Sequence, residues 1–201
     1  AHVEESLNRA RTQLLEAVAE SGEALLETYL AEGDLSEDAL REGLRRGMVT
    51  RQLLPVYAGS ATQIVGVWSL LDAMVRLFPS PSERGVTHSW YGIQPETPDG
   101  CERKGTVEEP FSAYVFKTII DPFVGRLSYC RVVSGSIHAD STVLNASTHV
   151  REKLGHFYRV LGKRHVAVDF VKAGDIVAMA KLKDTHTGDT LSHEGNPICY
   201  P

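Results

Sequence analysis

The stretch that decides the fold is "FSAYVFKTIIDPFVGRLSYCRVVSG", residues 111–135. Two β-rich runs, 111–120 and 126–134, flank Asp121-Pro122, a pair typical of turns. Helical spacing is absent from about residue 86 onward, and further β-rich runs follow at 141–147, 154–161, 165–171 and 175–182. Short strands at regular spacing, separated by turns, are typical of a closed antiparallel barrel, which we predict for this part of the chain.

The first 50 residues have a helical pattern instead. Apolar residues recur at three- and four-residue steps from Val3 to Val18, which predicts one amphipathic helix with a single apolar stripe. A second helix is predicted from Glu23 to Leu30. Ser36 is a suitable N-cap for a third helix, whose apolar side chains we expect to face inward. Short helices of this kind need a neighbour to pack against.

A strand-to-helix unit follows these helices. Residues 52–58 are predicted to form an apolar strand, and apolar spacing from Val67 to Phe78 predicts a helix. A strand that feeds a helix implies an α/β layer. The proline-rich residues 79–82 are interpreted as the end of that helix and the start of a linker, and residues 92–110 as a loop that leads into the barrel.

Composition and charge limit the class of protein. Hydrophobic residues make up 42% and charged residues 23%, with no apolar run of membrane-spanning length and no signal-peptide pattern at the start. The cysteines Cys101, Cys130 and Cys199 have no paired spacing and indicate free thiols in a reducing, cytoplasmic compartment. Residues 1–79 hold 7 Lys/Arg against 12 Asp/Glu, net −5, whereas residues 80–201 hold 14 of each, net 0.

The loop of small residues at 58–62 lies where a strand meets a helix, a layout that often binds phosphate. A phosphate-binding P-loop needs G-x-x-x-x-G-K-[ST], and this loop contains no lysine, so we exclude it as a phosphate site. Spacing alone favours a tight strand-to-helix turn. The histidines and cysteines form no H-x-x-x-H or C-x-x-C pair, so there is no local signal for a metal site.

Residues 151–165 form a basic stretch with aromatic residues between the cations. Five cations stand against one acid, Glu152: Arg151, Lys153, Arg159, Lys163 and Arg164. Basic and aromatic residues together on a small barrel fit contact with an RNA backbone. Cations that protect a solvated strand edge from aggregation fit equally well. The sequence leaves both interpretations open.

Two long motifs carry a family resemblance. Residues 111–135 and "AGDIVAMAKLKDTHTGDTL", residues 173–191, resemble the second domain of translation elongation factor G in residues, order and spacing. Residues 23–61 and 66–85 also resemble the stretch that precedes that domain. Residues 160–176, "VLGKRHVAVDFVKAGDI", are more similar to divergent paralogues of the family. The resemblance covers nearly the whole chain.

The resemblance implies a nucleotide role for the loop at 58–62. Gly59, Ser60 and Ala61 match the last nucleotide motif of a translational GTPase, in which backbone N–H groups contact the guanine base. The other motifs of a GTPase domain are absent from the sequence. The implied cofactor of the parent protein is GTP with Mg²⁺. We expect none in this chain, and we expect the chain itself not to hydrolyse GTP.

We therefore predict an α+β fragment of an elongation-factor-G-like translational GTPase that couples GTP hydrolysis to translocation. Residues 1–51 would be the remnant of a helical insert, 52–79 the last strand and helix of the GTPase domain, and 80–201 the linker and barrel. The implied partners are the ribosome, its small-subunit RNA and the rest of the GTPase domain, with no membrane. A stand-alone RNA- or protein-binding barrel is the alternative, as is a ribosomal protection or stress paralogue.

Overall fold

The computed structural model describes residues 2–97, 99–122, 124–162 and 164–201. The chain divides into two compact units, one that ends at Pro79 and one that runs from Ser80 to Pro201. Each unit has a hydrophobic core of its own.

Helices build the first unit. They are α1 (His2–Ala19), α2 (Glu23–Glu32), α3 (Glu37–Val49) and α4 (Val67–Leu77). The predicted helices are thereby confirmed, with ends shifted by one or two residues. The Ser36 side chain accepts a hydrogen bond from the Ala39 backbone N–H at 3.2 Å, so it caps α3 as predicted.

The core of this unit lies where the end of α1 meets α3. Leu15 and Val18 of α1 are buried, and a Cβ on Gly43 of α3 would lie 2.5 Å from a Val18 methyl, so glycine is what lets the two helices touch. The apolar stripe of α1 is only partly covered, because Val3 and Leu7 are exposed. The predicted apolar stripe is therefore buried at the end of the helix and exposed at its beginning.

The predicted strand at 52–58 is wrong. These residues have no strand assignment, and in the described part of this unit the one β-bridge joins Ser60 and Val65. A strand needs a neighbour whose backbone accepts and donates its hydrogen bonds, and a local apolar pattern does not supply one. Leu54 and Val56 are accordingly 88% and 87% exposed.

The second unit begins with a helix and a hairpin, at residues that the sequence analysis predicted to be a linker and a loop. Residues 81–87 form the helix α5 (Pro81–Thr87), which opens on a capping box between Ser80 and Glu83. The hairpin of β1 (Ser89–Ile93) and β2 (Gly100–Lys104) follows. A backbone pair between Ile93 and Cys199, with both N···O distances 2.9 Å, adds the last residues of the chain to this hairpin.

The remaining strands form one eight-stranded antiparallel sheet and one two-stranded sheet within the described residues. They are β3 (Ser112–Asp121), β4 (Gly125–Ser134), β5 (Ser136–His138), β6 (Thr142–Asn145), β7 (Val150–Lys153), β8 (Phe157–Leu161), β9 (Arg164–Val168), β10 (Phe170–Lys172), β11 (Ile176–Ala180) and β12 (Thr190–Ser192). The large sheet has the order β7-β6-β12-β3-β4-β11-β8-β9, and β5 pairs with β10.

The large sheet wraps around one core. Val143 of β6, Val115 of β3 and Phe157 of β8 lie far apart in the strand order, yet all three belong to the same buried cluster. Three residues connect β7 to β8, so opposite parts of the strand order are also close along the chain. A β-bulge at Phe116 interrupts the pairing of β3 with β4. The predicted α+β class with an antiparallel barrel is confirmed.

Candidate nucleotide-base loop and nucleic-acid interface

The loop that precedes α4 is closed by its own backbone. Ser60 and Val65 exchange two hydrogen bonds, with N···O distances of 2.9 and 3.1 Å. Gly59 and Gly66 face one another across the closure. A Cβ on Gly59 would lie 2.7 Å from the Val65 carbonyl oxygen, and a Cβ on Gly66 would lie 2.8 Å from the Ala58 carbonyl oxygen. Gly66 also has a φ of 75°, which favours glycine.

This geometry decides which loop groups are available to a ligand. The Ser60 N–H donates to Val65, and the Ser60 hydroxyl accepts from the Gln63 N–H at 3.3 Å, so both groups already have partners. Ala61 is exposed, and its N–H has no acceptor in the part of the chain that the structure describes. Of the predicted base-contacting residues, Gly59 therefore shapes the loop and Ala61 offers the donor.

The basic stretch separates into two groups in the structure. Arg151 and Lys153 lie on β7, exposed and on the same face of the strand, since side chains alternate along it. Glu194 pairs with Arg151. Lys153 has no carboxylate partner within the described ranges. The acid that opposes this part of the cluster is therefore Glu194, which the sequence analysis did not consider.

Arg159 and Arg164 form the second group, on the hairpin of β8 and β9. Arg159 stands opposite Val166 and Arg164 stands opposite Leu161, which puts both arginines on one face of the hairpin. Both are exposed, and neither has an acidic partner among the residues described. Lys163 lies outside the described residues. Arg159 and Arg164 therefore lie together on one hairpin. Arg151 and Lys153 lie on β7, at the other end of the strand order.

Glu152 does not oppose the cations as the sequence suggested. Its side chain is buried, and its carboxylate accepts hydrogen bonds from the backbone N–H groups of Lys183 and Asp184, at 3.1 and 2.7 Å, and from the Thr185 hydroxyl at 2.9 Å. It occupies the inward position between two outward cations on β7. Glu152 is therefore a structural ligand of the loop that follows β11.

That loop, residues 181–189, is held by hydrogen bonds from several strands, which sequence reasoning missed. Besides Glu152, the buried Asn145 amide donates to Asp189 at 2.9 Å, and the Arg126 guanidinium donates to the Lys183 carbonyl at 3.0 Å. Lys183 and His186 stay exposed. No strand was predicted over residues 150–153, so the sequence did not reveal that Glu152 points inward, where an acid needs internal donors.

The thiols and the acidic groups give no metal centre. In the described residues, no three His, Cys, Asp or Glu side chains are grouped to hold a metal ion. Burial raises the pKa of the Cys130 thiol far above its ordinary value, and burial also raises the pKa of Cys101. No described helix is long and apolar enough to cross a membrane.

The barrel is similar to a known protein family. Residues 110–194 match the family model described as elongation factor G domain 2. Residues 110–194 are similar to elongation factor G domain 2, and the part of the barrel that they form is called domain 2 below. The match spans β3 to β12 and includes both long motifs of the sequence, so the predicted resemblance is confirmed for this domain.

A solved structure extends the likeness beyond domain 2. A crystal structure of a protein from Thermus thermophilus aligns with 98% of this chain at 29% sequence identity and a TM-score of 0.72. The alignment covers 26% of that protein. The chain therefore spans about a quarter of the length of this neighbour, and the helical unit is part of the shared fold.

Proposed function

We propose that this chain is part of a ribosome-associated translational GTPase of the elongation factor G type, which couples GTP binding and hydrolysis to translocation. The observation that carries the proposal is domain 2 itself, matched over residues 110–194. The likeness of nearly the whole chain to a segment of a much longer protein supports a role inside a larger factor. In such a factor, the γ-phosphate and Mg²⁺ would bias a domain rearrangement.

The loop of Gly59, Ser60 and Ala61 is assigned to the guanine side of the GTP site. Its tight backbone closure and its exposed Ala61 N–H support contact with a base edge. It has no lysine and no second glycine-rich turn for phosphates, so GTP and Mg²⁺ would be held chiefly by other parts of the whole protein.

The surface of the helical unit supports a covering domain. Around the loop and α4, Leu54, Val56, Trp68 and Val75 are all more than 70% exposed. A group of large exposed apolar side chains marks an interface. The rest of the GTPase domain is the covering partner we propose, and these side chains disfavour a stand-alone barrel module with a helical cap.

Domain 2 would contact small-subunit ribosomal RNA through its unpaired cations. Arg159 and Arg164 are the strongest candidates, because they share one exposed face and lack acidic partners in the described structure. Lys153 is available on β7, whereas Arg151 is already paired with Glu194. Phosphate contacts of this kind weaken as salt concentration rises.

Two measurements test the proposal. The full-length factor should pellet with ribosomes in the presence of a non-hydrolysable GTP analogue, and Arg159→Glu with Arg164→Glu should weaken that association, most clearly at low salt. The control is Lys104→Glu, which replaces an exposed cation of β2.

The 201-residue chain alone should neither hydrolyse GTP nor bind it at micromolar concentration. Tight GTP binding by this chain, or a full-length factor that ignores ribosomes, would refute the proposal.

A further inference from the structure

Strand β9 is the last strand in the order of the large sheet, so one of its edges has no neighbouring strand within the described residues. The hydrogen-bond pattern shows which backbone groups lie at that edge. The Ala180 N–H donates to the His156 carbonyl at 3.1 Å, so the even-numbered residues of β8 bond to β11 and its odd-numbered residues bond to β9. The residues of β9 that pair with odd-numbered β8 residues are even-numbered, so the N–H and C=O groups of His165 and Ala167 point to the open edge.

The open edge of β9 lacks the side chains that usually block such an edge. Residues 165–168, His-Val-Ala-Val, contain no Lys, Arg, Asp, Glu or Pro, and in the described chain no backbone group bonds to His165 or Ala167 on the open side. Val166 and Ala167 are exposed. Natural sheets block their edges with charges, proline or bulges, because unpaired N–H and C=O groups bind another strand. This edge is therefore suited to an extended polypeptide.

Two arginines lie beside this edge on one face of the β8–β9 hairpin. Arg159 stands directly opposite Val166, and Arg164 lies two residues before Val166, so all three side chains share a face. The same face carries Phe157 into the core, but both arginines lie nearer the hairpin turn, where the face is exposed. Neither arginine has an acidic partner among the residues that the structure describes.

A strand added to this edge would lie within reach of both arginines. Neighbouring strands stand about 4.8 Å apart, so the added strand would lie beside Arg164 on β9 and about 10 Å from the backbone of Arg159 on β8. Extended arginine and glutamate side chains together cover that distance. Opposite charges on neighbouring strands stabilise the pairing and like charges weaken it, so the two arginines favour an acidic strand.

We propose that β9 binds an extended acidic segment of another protein by strand addition. The backbone groups of His165 and Ala167 bond to the added strand, and its carboxylates pair with Arg159 and Arg164. The open backbone groups favour a polypeptide, because a β-ladder needs alternating N–H and C=O groups on both partners. The proposal rests on the proposed function in one respect, since the acidic segment would compete with ribosomal RNA for the same two arginines.

The experiment measures the fluorescence anisotropy of a labelled peptide of about ten residues, in which glutamate and valine alternate, with the 201-residue chain. In a strand, this order places all glutamates on one face and all valines on the other. The wild-type chain should bind the peptide, and more weakly as salt concentration rises. Hydrogen exchange at the amides of His165 and Ala167, measured by NMR, should slow in the complex, because both N–H groups gain an acceptor.

Two substitutions test the backbone and the charge separately. Ala167→Pro removes an N–H that points away from β8, and it should weaken binding about fivefold through loss of one hydrogen bond. Its matched control, Ala167→Ser, keeps the N–H and should bind like the wild type. Arg164→Gln should weaken binding about threefold and flatten the salt dependence. Lys104→Gln, which removes an exposed cation from β2, should change neither.

Three outcomes would overturn the proposal. They are the absence of peptide binding, equal binding of a peptide with its glutamates and valines in two separate blocks, and wild-type affinity of Arg164→Gln, an exposed position that tests the site even if Ala167→Pro fails to fold. Self-association of the chain that Ala167→Pro abolishes would assign the edge to a second copy and would equally refute it. Failure of the proposed function is seen separately, as a full-length factor that does not pellet with ribosomes while the chain still binds the peptide.

Discussion

The role of Glu152 in the structure differs from the role that its neighbours in the sequence suggest. In the sequence it is an acid between Arg151 and Lys153, and charge alone groups it with them. In the structure, strand alternation turns it inward, where three donors from residues 183–185 surround its carboxylate. Glu152 therefore stabilises the loop at residues 181–189 and is not part of the charged surface.

Replacement of Glu152 by glutamine should destabilise domain 2 by about 2 kcal/mol, because an amide group cannot accept all the bonds that the carboxylate accepts. The free energy of unfolding would be measured by urea denaturation, followed by Trp90 fluorescence in a Trp68→Phe background. Glu194→Gln, which removes the exposed partner of Arg151, is the control and should cost less than about 1 kcal/mol. Equal urea midpoints for the two variants would contradict this role of Glu152.

The buried Tyr200 makes the free energy of unfolding depend on pH in the alkaline range. Its ring is buried, its hydroxyl lies 2.7 Å from the Ser112 hydroxyl, and burial raises the pKa of the phenol above its ordinary value. The unfolded chain loses the phenolic proton near its usual pKa of about 10, whereas the folded chain keeps it. Above that pH the unfolded state binds fewer protons, so the free energy of unfolding falls as pH rises.

The measurement is urea stability from neutral to alkaline pH for the wild type and Tyr200→Phe. The variant should be less stable at neutral pH, through loss of the hydrogen bond to Ser112, and should show a shallower alkaline decline. Tyr91→Phe changes an exposed tyrosine and should follow the wild-type profile. Parallel declines for wild type and Tyr200→Phe would assign the alkaline loss to other groups.

At the scale of elements, long periodic segments were predictable and paired segments were not. The helices α1, α3 and α4 follow from apolar spacing and, for α3, from the Ser36 cap. The strand at 52–58 was wrong because pairing depends on a neighbour that no local pattern describes. The hairpin of β1 and β2 was missed for the same reason, since its pairing is revealed only by the register.

The helix α5 was missed although its signal was present. Ser80-Pro81-Ser82-Glu83 has a cap, a proline in the first turn and an acid at the third position, which is a capping box. The prolines were read as a linker instead. Its packing explains why seven residues stay helical: α5 is held against the barrel by close backbone contacts at Gly85 and Gly105.

Gly85→Ala should detach α5 from the barrel. A Cβ at this position would lie 2.0 Å from the Gly105 carbonyl oxygen, which is backbone and cannot move aside. Hydrogen–deuterium exchange should show lost protection in residues 81–93 and unchanged protection in β4. Gly100→Ala is the control, because the nearest atom to its Cβ would be 4.0 Å away. Wild-type exchange in the Gly85→Ala variant would show that α5 is held elsewhere.

At the scale of the whole molecule, the two units differ in how much they bury. Among the described residues, the principal core cluster of the barrel has thirteen buried members and that of the helical unit has four. The sequence already indicated two different halves through net charges of −5 and 0. It did not indicate that the apolar residues of the helical unit would stay exposed, since a hydrophobic pattern does not identify its partner.

The candidate site was also predictable only in part. Gly59, Ser60 and Ala61 do form one tight loop, and Arg159 and Arg164 do share one face. The sequence did not foresee that the Ser60 N–H is used inside the loop or that Glu194 pairs with Arg151, because both depend on folding. Contact of these residues with guanine or RNA stays a prediction.

The two units should unfold in separate transitions, with the helical unit first. Trp68 lies in the helical unit and Trp90 in the barrel unit, so Trp90→Phe and Trp68→Phe variants each leave one fluorescent reporter. The urea midpoint seen by Trp68 should be clearly lower, since less apolar surface is buried there. Coincident midpoints would show that the units unfold as one cooperative body.

The backbone pair between Ile93 and Cys199 has a topological consequence. After α5 the chain forms the first hairpin, passes through β3 to β12 and then returns to β1, the first strand of that hairpin. Residues 93 and 199, which lie on either side of all the strands of domain 2, are therefore neighbours. A module with this property can be inserted into a longer polypeptide, or joined end to end in a circular permutant, without drawing its two flanking segments apart.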